Sequence, residues 1–263
     1  MAEKFNGVIK LDIRDSVPDW KPFELKKPPE GAPNVLIVLY DDTGLAAWSP
    51  YGGRINMPTM DRLADNGVTY TQWHTTALCS PTRSTFLTGR NHHVNRCASI
   101  TEGSMGFPGA AGRLPAECAT IGQVLQDNGY ATMWLGKNHN VPVEDLSPAG
   151  SRSEWPLSKG FDRFYGFLGG ETNQWYPDLI EDNHAIEPPY TPEEGYTCPR
   201  TWPTRPSRCC RICGPRVRRS RGSCGSAPGP TTPRTTARRS TSTSTRACST
   251  MVTRPTASGC WPG

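Results

Sequence analysis

Asn34-Val35-Leu36-Ile37-Val38-Leu39-Tyr40 runs without a break into Asp41-Asp42-Thr43-Gly44. The apolar run is rich in branched side chains and reads as a strand buried on both faces. Two carboxylates follow at its carboxyl end. Side by side they repel each other unless a cation neutralises them. Oxygen donors of this kind suit a hard dication, Ca²⁺ or Mg²⁺. An isolated Asp-Asp pair is more often a solvated loop start or a helix cap, but the strand in front sets this one at the edge of a sheet.

Outward from that stretch, Pro58 opens a helix with Met60, Leu63 and Ala64 on one face and Asn66-Gly67 as its stop. Val68–Thr71 reads as a second short strand. Thr120 caps a helix carrying Ile121, Val124 and Leu125, closed by Asn128-Gly129. Tyr130–Leu135 is a third apolar strand and ends at Gly136-Lys137-Asn138-His139. Strands alternating with helices predict an α/β fold, a mostly parallel sheet flanked by helices. Ligands gather at the carboxyl ends of strands in such folds. Residues 1–32 form an extended lead-in, since Pro18, Pro22, Pro28 and Pro29 punctuate it.

Composition divides the 263 residues in two. Residues 1–196 hold all 24 acidic residues and 16 basic ones, a net charge of −8. Residues 197–263 hold 13 Arg and no Lys, Asp or Glu, a net charge of +13. The basic balance therefore belongs to the last quarter and does not mark the whole chain as a nucleic-acid binder. Only Cys79, Cys97 and Cys118 precede residue 197, too few and too scattered for a disulfide framework. No basic start with an apolar stretch behind it opens the chain, and no apolar run reaches the roughly 18–20 residues that span a bilayer. A soluble, reduced, cytoplasmic protein without a membrane partner is the expectation.

The second polar cluster is Cys79-Ser80-Pro81-Thr82-Arg83, continued by Ser84-Thr85-Phe86-Leu87-Thr88-Gly89. Pro81 suits the first turn of a helix, which leaves Cys79 at the N-terminus. Backbone N–H groups and the helix dipole favour an anion there, a thiolate or a bound oxyanion. Arg83 adds a permanent charge. A small buried Cys before an ordinary helix is the commoner meaning of a lone cysteine.

Cys79-Ser80-Pro81-Thr82-Arg83 matches the C-x-P-x-R core of the type I sulfatases, and Thr88-Gly89 fits the longer signature. Gly129–His139 resembles their second signature, with Gly136-Lys137-Asn138-His139 as its G-K-x-H end; Asn138 stands where an aromatic residue is common. The strand ending in Asp41-Asp42 resembles the family's first metal-binding strand. The resemblance covers residues 33–196 and implies the alkaline-phosphatase-like α/β fold. It further implies that a formylglycine-generating enzyme converts Cys79 to Cα-formylglycine. One hydroxyl of the hydrated aldehyde would attack the sulfur of a small-molecule sulfate ester, and the other would expel sulfate by re-forming the aldehyde. Asp41, Asp42 and the modified Cys79 would bind the cation. Arg83 would hold the diol, Lys137 would contact the sulfate and the diol, and His139 would take the proton during sulfate release. Phosphonate or phosphate ester hydrolysis, or a non-catalytic remnant, are the alternatives.

Other polar residues attract weaker expectations. His92-His93 is taken as surface or structural and His74 as packing. Cys97 and Cys118 read as structural, and Trp155, Trp175 and Tyr176 as core or loop packing more than a substrate wall. Sulfatases are much longer than this chain, and their second half supplies further metal ligands, a second His and a second Lys. Residues 197–263 contain no Asp, Asn, His or Lys, and no Leu, Phe, Tyr or Gln. Such a segment lacks the means for an ordinary core and is expected to be poorly ordered, leaving the fold incomplete. Three readings of it compete: a metal knuckle at Cys209-Cys210-Arg211-Ile212-Cys213, an Arg-rich nucleic-acid tail with Trp202 and Trp261 as stacking groups, and a slipped reading frame in a GC-rich gene. The composition favours the third, and no nucleic-acid partner is expected.

Overall fold

A computed structural model describes residues 4–24, 26–198 and, as backbone, 248–255. Among these, three α-helices form: α1 (Pro58–Asn66), α2 (Cys79–Thr88) and α3 (Ile121–Gln126). The strands are β1 (Val35–Tyr40), β2 (Tyr130–Lys137), β3 (Arg163–Phe167), β4 (Leu179–Glu181), β5 (His184–Ile186) and β6 (Cys248–Pro255). They make one sheet in the order β1-β6-β2-β3-β4-β5.

The class is α/β, but the ladder is mixed. Only β2 and β3 pair in parallel, Met133 opposite Arg163 through Lys137 opposite Phe167. β6 lies between β1 and β2 and is antiparallel to both. β1, β2 and β3 therefore point the same way and bring their carboxyl ends to one edge. β4 and β5 extend the far side as an antiparallel hairpin. Two residues, Asp182-Asn183, suffice for that connection, whereas a parallel neighbour needs a long crossover. Asp182 takes a left-handed backbone (φ 57°), and its Oδ1 accepts from the Phe164 N–H and from Arg163 Nε, each at 3.0 Å.

Local sequence accounts for the helices. Pro58 occupies the first turn of α1, and Gly67 follows its end. Thr120 and Gln123 form a capping box at α3: the Gln123 N–H donates to Thr120 Oγ1, and the Thr120 N–H donates to Gln123 Oε1. α2 ends at Gly89, whose φ of 66° only glycine adopts without strain.

β2 is the centre of the core. Its alternate side chains enter two apolar clusters on opposite faces of the sheet. Trp134 packs with Leu87, Val141, Trp155, Phe161 and Phe164. Leu135 packs with Tyr165, Leu179, Tyr196 and Cys198. The Trp134 ring meets Phe161 edge-on at 5.0 Å. Trp155 is fully buried, as its reading as core requires.

Two expectations are corrected. β1 is half-buried on one face only: Leu36, Val38 and Tyr40 are exposed on the other, where the Tyr40 ring meets Trp48 edge-on at 4.8 Å. Val68–Thr71 is no strand. Its Val68 and Tyr70 are exposed, and the Tyr70 carbonyl accepts from Tyr51 Oη at 2.8 Å instead of joining a ladder. Residues 248–255 add β6 between β1 and β2 through ladder bonds made by the backbone, which ask little of the side chains, and the rest of the atypical segment beyond residue 198 lies outside the described residues. The Cys209–Cys213 cluster, Trp202 and Trp261 lie outside the described residues. Among the described residues no helix is long and apolar enough to cross a membrane.

Candidate active site

The common edge of β1 and β2 puts Asp41 and Lys137 on either side of the start of β6, where Tyr40 pairs with Cys248 and Gly136 with Ser249. α2 approaches the same edge with its N-terminus, so Cys79 stands at the mouth, half-buried. Leu78 precedes it in extended conformation and offers no side-chain cap, so the first-turn N–H groups keep their affinity for an anion. Ser80, Arg83, Ser84 and Leu87 form the buried face of the helix.

Arg83 reaches from that face to both strand ends. Its Nη1 donates to the Lys137 carbonyl at 3.0 Å, and its Nη2 to Asp41 Oδ1 at 3.1 Å. Lys137 Nζ donates to Asp41 Oδ2 at 2.6 Å. One carboxylate thus bridges two cations whose side chains are 2% and 4% exposed. Burial alone would raise the Asp41 carboxyl, but the Lys137 hydrogen bond and the charges of Arg83 and Lys137 outweigh it and hold it below its ordinary value.

His139 follows two residues later in a left-handed backbone (φ 56°), its N–H donating to the Leu168 carbonyl at 3.0 Å. Its Nε2 lies 2.8 Å from Glu102 Oε2. Half-burial raises the Cys79 thiol, yet the neighbouring His139 and the charge of Lys137 bring it below its ordinary value. Cys97 is pushed up to about 11, chiefly by burial. Asn140 braces the approach of the two elements, its Nδ2 donating to the Ser80 carbonyl at 3.1 Å.

The structure therefore brings together Asp41, Cys79, Arg83, Lys137 and His139, and Asp42 lines the same cleft from an exposed position with φ 49°. The cleft encloses about 1360 Å³ and continues past Glu102, Gly170, Tyr176 and Asp178. Tyr176, read from the sequence as packing, lines it and is exposed. His92 and His93 lie outside it, their rings tilted against each other with centroids 4.1 Å apart. Glu102 and Asn140 carry no sequence signal of their own: a lone acid in a Gly-rich loop and a lone amide look like surface.

Asp41 and Asp42 offer the oxygen donors that a hard dication takes. Among the described residues, however, no group of three or more His, Cys, Asp and Glu is placed to hold an ion. The donors fit such an ion in kind and fall short in number.

The family model described as Sulfatase matches residues 33–203. Human arylsulfatase D is 36% identical over 149 residues, 55% of this chain and 25% of that protein. Human steryl-sulfatase is 37% identical over 141 residues, 51% of this chain and 23% of that protein. The arylsulfatase of Klebsiella aerogenes is 29% identical over 145 residues, 54% of this chain and 30% of that protein. The chain thus spans about a quarter of the length of these relatives. The solved structure of Ps i-CgsB in complex with k-i-k-neocarrahexaose superposes with a TM-score of 0.52 at 23% identity, over 65% of this chain and 40% of that one, a likeness of fold. Since the family model takes in well over half of the 263 residues, and both signatures within it meet at one sheet edge, this chain belongs to the sulfatase family.

Proposed function

We propose that this chain carries the nucleophile side of a site that hydrolyses sulfate esters, with water cleaving the ester to an alcohol and inorganic sulfate. The convergence of Cys79 with Lys137 and His139 in one cleft, with Arg83 buried behind it on the Lys137 carbonyl, carries the proposal. Conversion of Cys79 to formylglycine would supply a hydrated aldehyde, whose hydroxyl attacks sulfur and whose second hydroxyl lets the sulfate leave. The chain's own residues do the rest. The α2 N-terminus favours the anionic group, and Lys137 offsets charge that builds on the sulfate oxygens in the transition state. Arg83, locked by Asp41 and the Lys137 carbonyl, fixes the floor on which residue 79 stands. His139 accepts the proton when sulfate departs. Asp41 and Asp42, with residue 79, would hold a divalent cation, Ca²⁺ or Mg²⁺, which supplies charge to polarise the sulfate.

Hydrolysis of a chromogenic aryl sulfate by the purified chain, after coexpression with a formylglycine-generating enzyme and with Ca²⁺ present, tests the proposal. Release of the phenol with an equal yield of sulfate is the expected result. Turnover of aryl phosphonate or phosphate but not sulfate would move the activity to the neighbouring ester class, and turnover of none of them would leave a non-catalytic member of the family.

Calcium affinity gives a separate expectation. Ca²⁺ takes about 6–8 oxygen ligands, and the described residues offer two carboxylates and residue 79. Calorimetry on the chain should show a Kd on the order of 10⁻⁴–10⁻³ M, the range of weak sites. Tight binding would show that other groups complete the ligand set.

A further inference from the structure

His139 is constrained from every side. Its left-handed backbone (φ 56°) is unusual for a residue with a side chain, and the Leu168 carbonyl holds its N–H. Gly170 closes over the ring: a Cβ there would stand 2.6 Å from His139 Cε1 and 2.7 Å from Nε2. The side chain is 4% exposed. Nε2 faces Glu102 Oε2 at 2.8 Å, whereas Nδ1 is buried with no hydrogen-bond partner among the described residues.

An ionised carboxylate only accepts hydrogen bonds. A 2.8 Å contact with Glu102 therefore requires the proton on Nε2, and in the neutral ring the lone pair is then on Nδ1. We infer that Glu102 is the positioning residue of His139: its carboxylate fixes the ring's orientation and its Nε2–H tautomer, leaving Nδ1 as the nitrogen that accepts a proton. Glu102 sits on a short turn, Thr101–Gly103, and Thr101 Oγ1 donates to the same Oε2 at 3.3 Å. Its burial opposes ionisation, but the hydrogen bond and charge of His139 outweigh this and keep the carboxyl below its ordinary value. The catalytic consequence rests on the sulfate-ester proposal above; the tautomer does not.

The chain has five histidines, few enough for ring-nitrogen NMR to resolve them. In the ¹⁵N-labelled protein, with His139 assigned by loss of its signals in His139→Gln, long-range proton–nitrogen correlation should show one tautomer with the proton on Nε2 once the ring is neutral. Glu102→Ala should give a mixture of tautomers. Glu102→Gln, whose amide oxygen accepts the same bond, should restore the single form. The Glu102 side chain is 42% exposed, so these changes spare the core. In an active preparation Glu102→Ala should lower kcat about 10–100-fold, the usual cost of removing a carboxylate that orients a working His, with KM little changed and part of the rate recovered in Glu102→Gln. A proton on Nδ1 in the parent chain, or an unchanged tautomer in Glu102→Ala, would overturn the assignment, as would an unchanged kcat. If the parent chain hydrolyses no sulfate ester, the proposed function falls, while the tautomer still decides the role of Glu102.

Discussion

Cys79→Ala should abolish sulfate-ester hydrolysis, a loss of more than about 10⁴-fold in kcat, while the melting temperature stays within a degree or two of the parent. The two halves of this expectation come from different features of α2. Cys79 is half-buried at the first position of the helix and faces the cleft, so its sulfur adds little to the core. The helix is anchored instead by Leu87 in the apolar cluster and by Arg83 on the strand ends. Alanine is also a better helix former than cysteine. What alanine removes is the only atom at that position able to become a nucleophile. Peptide mass spectrometry should find an aldehyde in place of the thiol when the parent chain is made with a formylglycine-generating enzyme. Cys79→Ser keeps an oxygen in place but offers no second hydroxyl for expelling sulfate, so it should trap sulfate or turn over once at most. Unchanged turnover in Cys79→Ala would remove residue 79 from the chemistry.

How much of this was legible in the sequence follows from how local each signal is. Asp41, Cys79, Lys137 and His139 were readable because each lies at or just beyond the end of an element that its own neighbours specify, and Arg83 because it sits one helical turn after Cys79. The apolar run Val35–Tyr40 stops at the carboxylates, Pro81 sits in the first turn of α2, and Tyr130–Leu135 delivers Lys137. Glu102 was not readable, because its partner is 37 residues away and nothing in Thr101-Glu102-Gly103 marks a loop that folds back over a strand end. β3 was hidden for another reason: Arg163-Phe164-Tyr165-Gly166-Phe167 has neither period-2 alternation nor a branched run, since it is buried on both faces beside β2. β1 misled in the opposite direction. A continuous apolar run suggests two covered faces, but coverage depends on what packs there, and Leu36 and Val38 remain exposed among the described residues. β6 shows the limit of composition. An Arg-, Pro- and Thr-rich segment gives no core signal, yet its short run Thr250-Met251-Val252-Thr253 has the branched character that a strand tolerates.

Asp41 carries the second large effect, on stability as well as on the ion. Its carboxylate lies between Arg83 and Lys137, whose side chains are 2% and 4% exposed. Removing one partner of a buried ion pair costs about 3–5 kcal/mol, because the charge left behind has lost its water as well as its partner. Asp41→Ala should therefore lower Tm by on the order of 10 °C. Asp42→Ala, at an exposed position whose left-handed backbone (φ 49°) alanine tolerates less well than aspartate, should cost only about 1 kcal/mol. Both variants should weaken Ca²⁺ binding, so the pair separates the structural role of Asp41 from any role as a ligand. Acid gives a further check, made in chelator so that no ion contributes. The folded carboxyl of Asp41 is depressed by Lys137 and Arg83 against the opposing effect of burial. A depressed acid stabilises the fold above its unfolded value, about 3.9, and loses that contribution as the pH falls through the lower folded value. The gap in Tm between parent and Asp41→Asn should thus be full at neutral pH and close below about pH 4. A gap that persists unchanged into strong acid, or an Asp41→Ala protein as stable as Asp42→Ala, would mean that the two cations are balanced by something other than this carboxylate.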